Sequence, residues 1–170
     1  ADNMSGDLEK ALFACSNNGE YPIVCDTSPC IYRMRKVMSK QLKMFEPLEF
    51  IHDYLMDLLE FNKQPETIAV HVTCSSTKLG LKEKFKKVAE ACATTVVMPA
   101  KVRCCGFAGD KGFEVPELNE SALSELKDCL PDDCSAGYSN SRTCEMGLSH
   151  RSGISYQSIV YLVDRCTSAK

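Results

Sequence analysis

Apolar residues recur along this chain at two periods, one helical and one alternating, and the two trade places from one end to the other. Leu8, Leu12 and Cys15 keep helical spacing over residues 5 to 15, and Asn17-Asn18-Gly19 supplies a stop. Tyr21 to Cys25 reads as a brief strand, after which Ser28 suits an N-cap and Pro29 a first helical position. The stripe of Leu48, Ile51, Leu55, Leu58 and Leu59 predicts a helix over 47–61. Thr67 to Thr73 alternates as a strand, and Leu81, Phe85, Val88, Ala89 and Cys92 mark a helix from about 81 to 92. A further strand is expected over Thr94 to Met98, and a helix over 116–130 with Leu118, Leu123, Leu126 and Cys129 inward. Ser135 to Ser139 is strand-like, and a last helix is expected over 154–165.

Strand, loop and helix in alternation predict an α/β domain with a mainly parallel sheet flanked by helices. That order gives the cysteines a meaning. Cys25, Cys74, the Cys104/Cys105 pair and Cys144 all fall at or just after the carboxyl end of an expected strand, the edge where open parallel sheets build their sites. Cys15, Cys92 and Cys129 lie on apolar helix faces and read as core thiols. Cys134 and Cys166 carry no assigned chemistry.

Composition narrows the function classes. A chain of 170 residues buries one respectable core. A net charge of −3 without a long basic run argues against nucleic acid. No apolar run approaches the roughly 18 residues of a membrane span. Eleven cysteines, an odd number, beside long amphipathic helices favour a reducing compartment over a disulfide scaffold, and hence a cytoplasmic location.

The chemistry concentrates in Arg103-Cys104-Cys105-Gly106-Phe107-Ala108-Gly109-Asp110-Lys111-Gly112. Two neighbouring thiols grip one centre only if the backbone between them bends back, and glycine permits the bend and a close approach of N–H groups to sulfur. Arg103 and Lys111 are placed to offset thiolate charge. Cys30, in the first turn of a helix, sits where the macrodipole favours thiolate.

Cys74, then Cys104-Cys105-Gly106, then Cys144 resembles the cysteine-rich CCG domain of heterodisulfide reductase subunits, the iron–sulfur subunit of glycolate oxidase and flavin-linked D-lactate dehydrogenases. Here 29 residues separate Cys74 from Cys104, and Cys144 comes after a comparable gap. His71 matches a His-x-x-Cys form of the glycolate-oxidase branch. The last cysteine of the pattern is replaced by Gly147, which leaves four thiolates instead of five and suits an ordinary iron–sulfur cluster or zinc. The resemblance implies one and a half repeats: residues 1–46 the tail of a first, incomplete repeat with a partial site at Cys25 and Cys30, and residues 47–170 a complete second one. It also implies a carboxy-terminal piece of a longer 2-hydroxyacid dehydrogenase.

Electron transfer is the activity that the resemblance implies. Cys74, Cys104, Cys105 and Cys144 would hold the centre, and electrons would pass from a flavin toward a quinone or cytochrome. FAD and a ferredoxin-like domain would lie elsewhere in the parent chain, with attachment at most peripheral, at the inner face of the membrane. No dinucleotide fingerprint is present, so no turnover of substrate is expected from this piece. Three other readings of the same sulfurs remain: structural zinc, a dithiol exchanging with a disulfide, and a metal-free scaffold. His71 reads as a buried structural histidine, His150 as a neighbour of the Cys144 sulfur, and His52 as solvated.

Overall fold

The computed structural model describes residues 2–170, with side chains from Met4 onward. The first helix, α1 (Asp2–Cys15), ends in Asn17, Asn18 and Gly19, all with positive φ, as the stop signal predicts. Cys15 at its end is exposed, not a core thiol, because Leu12 and Phe13 rather than Cys15 carry the packing face. β1 (Ile23–Val24) leads into α2 (Ser28–Val37), and β2 (Met44–Phe45) pairs with β1 in parallel. Ile31, Met38, Leu42 and Met44 close a small core of their own.

The helix expected over 47–61 is shorter than its apolar stripe suggests. It runs as α3 (Pro47–Phe50), loosens into a π-turn over Ile51–Leu55 and gives way to β3 (Leu59–Phe61). Glu46 and Glu49 form a reciprocal capping box at its start, which fixes where the helix begins. β4 (Gln64–Val70) comes next, then α4 (Cys74–Lys78), α5 (Lys82–Cys92) and β5 (Ala93–Val97).

After the Cys-Cys-Gly loop come α6 (Lys111–Glu114) and α7 (Pro116–Ala122). The helix expected to reach residue 130 stops at Ala122, where the Ser124 hydroxyl donates to the Ser121 carbonyl at 3.1 Å in competition with the helix ladder. Leu123 and Leu126 are buried all the same, and a short 3-10 turn covers Lys127–Cys129, leaving Cys129 half-buried. β6 (Cys134–Ser139), α8 (Arg142–Ser152), β7 (Tyr156–Ser158), α9 (Ile159–Cys166) and β8 (Thr167–Ala169) complete the chain. The final helix therefore starts five residues later than its pattern, after the N-cap Ser158, because residues 156–158 are drawn into the sheet.

The principal sheet is parallel throughout, in the order β5-β4-β6-β7, and helices flank it. Ile68 and Val70 of the central β4 point into one core with Phe85, Val88, Leu162 and Ile159. Ala69 points to the other, formed by Leu123, Leu126, Leu148, Tyr156 and the thiols of Cys105 and Cys144. Burying one side chain such as Phe85 contributes roughly 1.5–3 kcal/mol. Strand order reverses between β4 and β6, so the crevice beyond their carboxyl ends is where an open parallel sheet binds its ligand. Among the described residues, no helix is long and apolar enough to cross a membrane.

Candidate functional site

The residues flanking that reversal point come from three stretches of chain. Cys74 opens α4 after β4, and Thr73 caps that helix by accepting the Ser76 N–H at 3.3 Å. Cys144 lies in the first turn of α8 after β6. Cys104 and Cys105 stand in the loop after β5, held by α7: Asn119 Nδ2 donates to the Cys105 carbonyl at 2.6 Å. The loop bends as two neighbouring thiols require, with positive φ at Gly106, Ala108 and Gly109. Gly106 is confined further, because a Cβ there would overlap the Leu118 carbonyl.

The loop brings Cys105 Sγ to 2.8 Å from Cys144 Sγ, both buried, across 39 positions of sequence. The two thiols are electrically unequal. The hydrogen bond from Cys144 lowers the pKa of Cys105 to about 7, with help from the backbone N–H groups of Phe107 and Cys105 and against the cost of burial. Cys144 is pushed far up by the same bond, by burial and by the charge on Cys105; the charge of Cys74 acts in the same direction. The pair therefore loses its first proton more readily than an isolated thiol and its second far less readily. Arg103 and Lys111 take no part in lowering Cys105, and Lys111 is spent on Glu114 at 2.6 Å. The Cys144 thiol, helped by the backbone N–H groups of Phe107 and Cys105, does the work expected of those cations.

Cys74 and Cys104 are exposed. The Cys104 sulfur accepts the Gly106 N–H at 3.4 Å. Among the described residues, no group of three or more His, Cys, Asp and Glu is gathered as a metal-holding cluster. Two of the four candidate sulfurs are in contact, and Cys74 is close enough to act on Cys144 by its charge. Cys25 is half-buried with its thiol toward the Thr27 carbonyl at 3.8 Å, and Cys30 is exposed.

The segment carrying Cys25 and Cys30 is docked on this edge through hydroxyls. Ser28 Oγ lies 3.0 Å from Thr73 Oγ1 and 2.7 Å from Ser75 Oγ, on either side of Cys74. Asn140 donates to Glu46 at 3.0 Å and to Ser76 at 2.6 Å, and burial raises the Glu46 carboxyl above its ordinary pKa. A cleft of about 840 Å³ opens beside this seam, lined by Asp26, Thr27, Gly109, Asn140, Ser141 and Arg142 among others. Sequence patterns single out neither Asn119 nor Asn140. Ser28 is legible only as a cap, whereas Thr27 holds the N-cap position and Ser28 serves as the tie.

His71 is buried, and its hydrogen bonds settle its tautomer. The Ser139 hydroxyl donates to the His71 carbonyl at 3.0 Å, so it accepts from Nδ1–H at 3.1 Å. Nε2 is then a bare lone pair, buried and, among the described residues, without a partner, so this buried structural histidine is only half satisfied. Burial lowers its pKa to about 4 from 6.5. The unfolded chain binds this proton more readily, so stability is full above pH 6.5 and falls as pH drops toward 4. Between pH 7 and pH 4.5 the expected loss is about 2 kcal/mol, which denaturant titrations at the two values will read. His71→Gln should flatten that slope. His52 is hydrogen-bonded to Asp53 at 2.7 Å rather than merely solvated, and His150 is exposed.

Gly147 occupies the position where the cysteine pattern ends. A Cβ there would overlap Asn119 Nδ2 and come within 2.6 Å of the Phe107 ring, the residues that hold the thiol loop. Gly147→Cys should therefore destabilise by about 1–3 kcal/mol in denaturant titration without adding a bound metal. No protein-family model, curated protein or solved structure matches the chain.

Proposed function

We propose that this chain is the cysteine-rich electron-transfer module of a flavin-linked 2-hydroxyacid dehydrogenase, with Cys74, Cys104, Cys105 and Cys144 as the thiolate ligands of an iron–sulfur cluster. The observation that carries this reading is the Cys105–Cys144 sulfur pair, built across two loops at the carboxyl edge of a parallel sheet, in which the contact with Cys144 lowers the pKa of Cys105. The donor set fits the group in kind, since soft thiolates select iron–sulfur centres and zinc. A cluster held there supplies one-electron transfer.

The surrounding residues have separable roles. Cys105 holds a thiolate ready, and Cys144 gives up its proton on ligation. Gly106 and Phe107 aim N–H groups at the Cys104 and Cys105 sulfurs, and such bonds tune a centre's potential. Asn119 fixes the loop, and the tie from Ser28 steadies the start of α4 around Cys74.

A dithiol reading has its own support, because two sulfurs rather than four are in contact and their pKa values are driven apart. Metal and sulfide analysis of anaerobically purified protein separates the two. Iron with matching sulfide and a broad band near ~400 nm supports the electron-transfer module. Zinc alone makes the site structural. Metal-free protein whose Cys105 and Cys144 close reversibly into a disulfide favours the dithiol.

A further inference from the structure

A second pair of thiols lies at the opposite edge of the sheet, away from the site described above. Cys92 is the last residue of α5 and Cys166 the last of α9, two helices packed against each other. Both are fully buried, at 0 % and 1 % exposure. The Cys166 thiol donates to the Cys92 carbonyl at 3.6 Å, and both side chains belong to one buried cluster, close enough to act on each other's ionisation. Each helix runs directly into a strand, β5 after Cys92 and β8 after Cys166, so both sulfurs sit where their backbones change direction.

We infer that Cys92 and Cys166 form a dithiol–disulfide couple, a latch that locks α9 onto α5 under oxidising conditions. A Cys166 thiolate attacks a small disulfide R–S–S–R, forming a mixed disulfide and expelling one RS−. The Cys92 thiolate then attacks the Cys166 sulfur and expels the second RS−. Two protein thiols are oxidised, one small disulfide is reduced to two thiols, and the two protons pass to the leaving groups. Burial holds Cys92 up at about 12 and raises Cys166 as well, with Arg165 opposing the rise at both sulfurs. The latch therefore closes slowly, at the pace at which α9 lifts from α5 and the three-residue β8 peels from β3. Once closed it resists reduction for the same reason.

The test uses the full chain incubated with glutathione disulfide for increasing times, then blocked with a maleimide, digested and mapped by mass. The expected result is a cross-linked peptide pair containing Cys92 and Cys166, appearing after the exposed Cys15 has reacted. In a Cys105→Ser host, where the edge pair cannot close, oxidation should raise the thermal midpoint by on the order of 10 °C, reversibly with dithiothreitol. Cys166→Ala and Cys92→Ala should each lose the shift. Recovery of Cys92 and Cys166 as free, maleimide-blocked thiols after prolonged incubation, or joined to other cysteines, overturns the latch. The wild-type peptide map decides this even if a variant folds poorly. The result stands apart from the cluster proposal, which involves neither Cys92 nor Cys166.

Discussion

Cys105→Ser is expected to abolish stoichiometric iron binding while leaving the far-ultraviolet circular dichroism unchanged. Cys105 is one of the two candidate ligands in sulfur contact and the one whose pKa that contact lowers, so its loss removes both a donor and the partner that orients Cys144. Removing an outer hydrogen bond from a metal site costs roughly 10–100-fold in affinity, and removing a ligand costs at least the upper end of that range. The fold does not depend on the thiolate. Cores on both faces of the sheet are closed by aliphatic and aromatic side chains, and a hydroxyl nearly fills the space of the thiol. Iron analysis after anaerobic reconstitution, with circular dichroism beside it, reads both halves of the expectation. Cys15→Ser, an exposed thiol on α1, should bind as much iron as the wild type.

Gly106→Ala carries the largest expected loss of stability. Gly106 has φ of +75°, a conformation that costs an L-residue about 1–2 kcal/mol. Its missing Cβ also makes room for the Leu118 carbonyl and lies 2.7 Å from Asn119 Cα, backbone atoms that cannot swing aside. Displacing them adds about 1–3 kcal/mol. Gly80 has nearly the same φ, +77°, with open space where its Cβ would stand. Gly80→Ala therefore measures the conformational cost alone. Equilibrium unfolding of the two variants should differ by about 2 kcal/mol, with Gly106→Ala the weaker. Equal losses would mean that α7 does not clamp the loop.

The parallel sheet was legible because its central strands carry simple signals. Ile68 and Val70 alternate with Ala69, and the stripe from Leu81 to Cys92 forms a helix at its expected place. Periodicity failed where apolar residues serve two masters. Leu58 and Leu59 continue the stripe of α3, yet Leu59 pairs with Ala169 in a strand, a partner more than a hundred positions away. α8 was invisible for the opposite reason. Gly147, Ser149, His150 and Ser152 give it no apolar stripe, and it is helical because Leu148 and the small Gly147 pack against the sheet and Phe107. At the site, the Cys-Cys-Gly loop and its bend could be read from glycine spacing. The contact of Cys105 with Cys144 could only be anticipated, since it depends on β6 lying beside β4. Asn119, Asn140 and the unpartnered Nε2 of His71 emerge from packing, which no local pattern encodes.

Differential alkylation tests the shared four-thiolate site most directly. Without metal, Cys74 and Cys104 are exposed, as is Cys15, so burial protects none of the three. After anaerobic loading with iron and sulfide, a brief alkylation and mass mapping should find Cys74, Cys104, Cys105 and Cys144 protected together, and Cys15 still modified. Protection of Cys105 and Cys144 alone, with Cys74 and Cys104 modified as fast as Cys15, would contradict the shared site and leave a two-sulfur redox pair in its place.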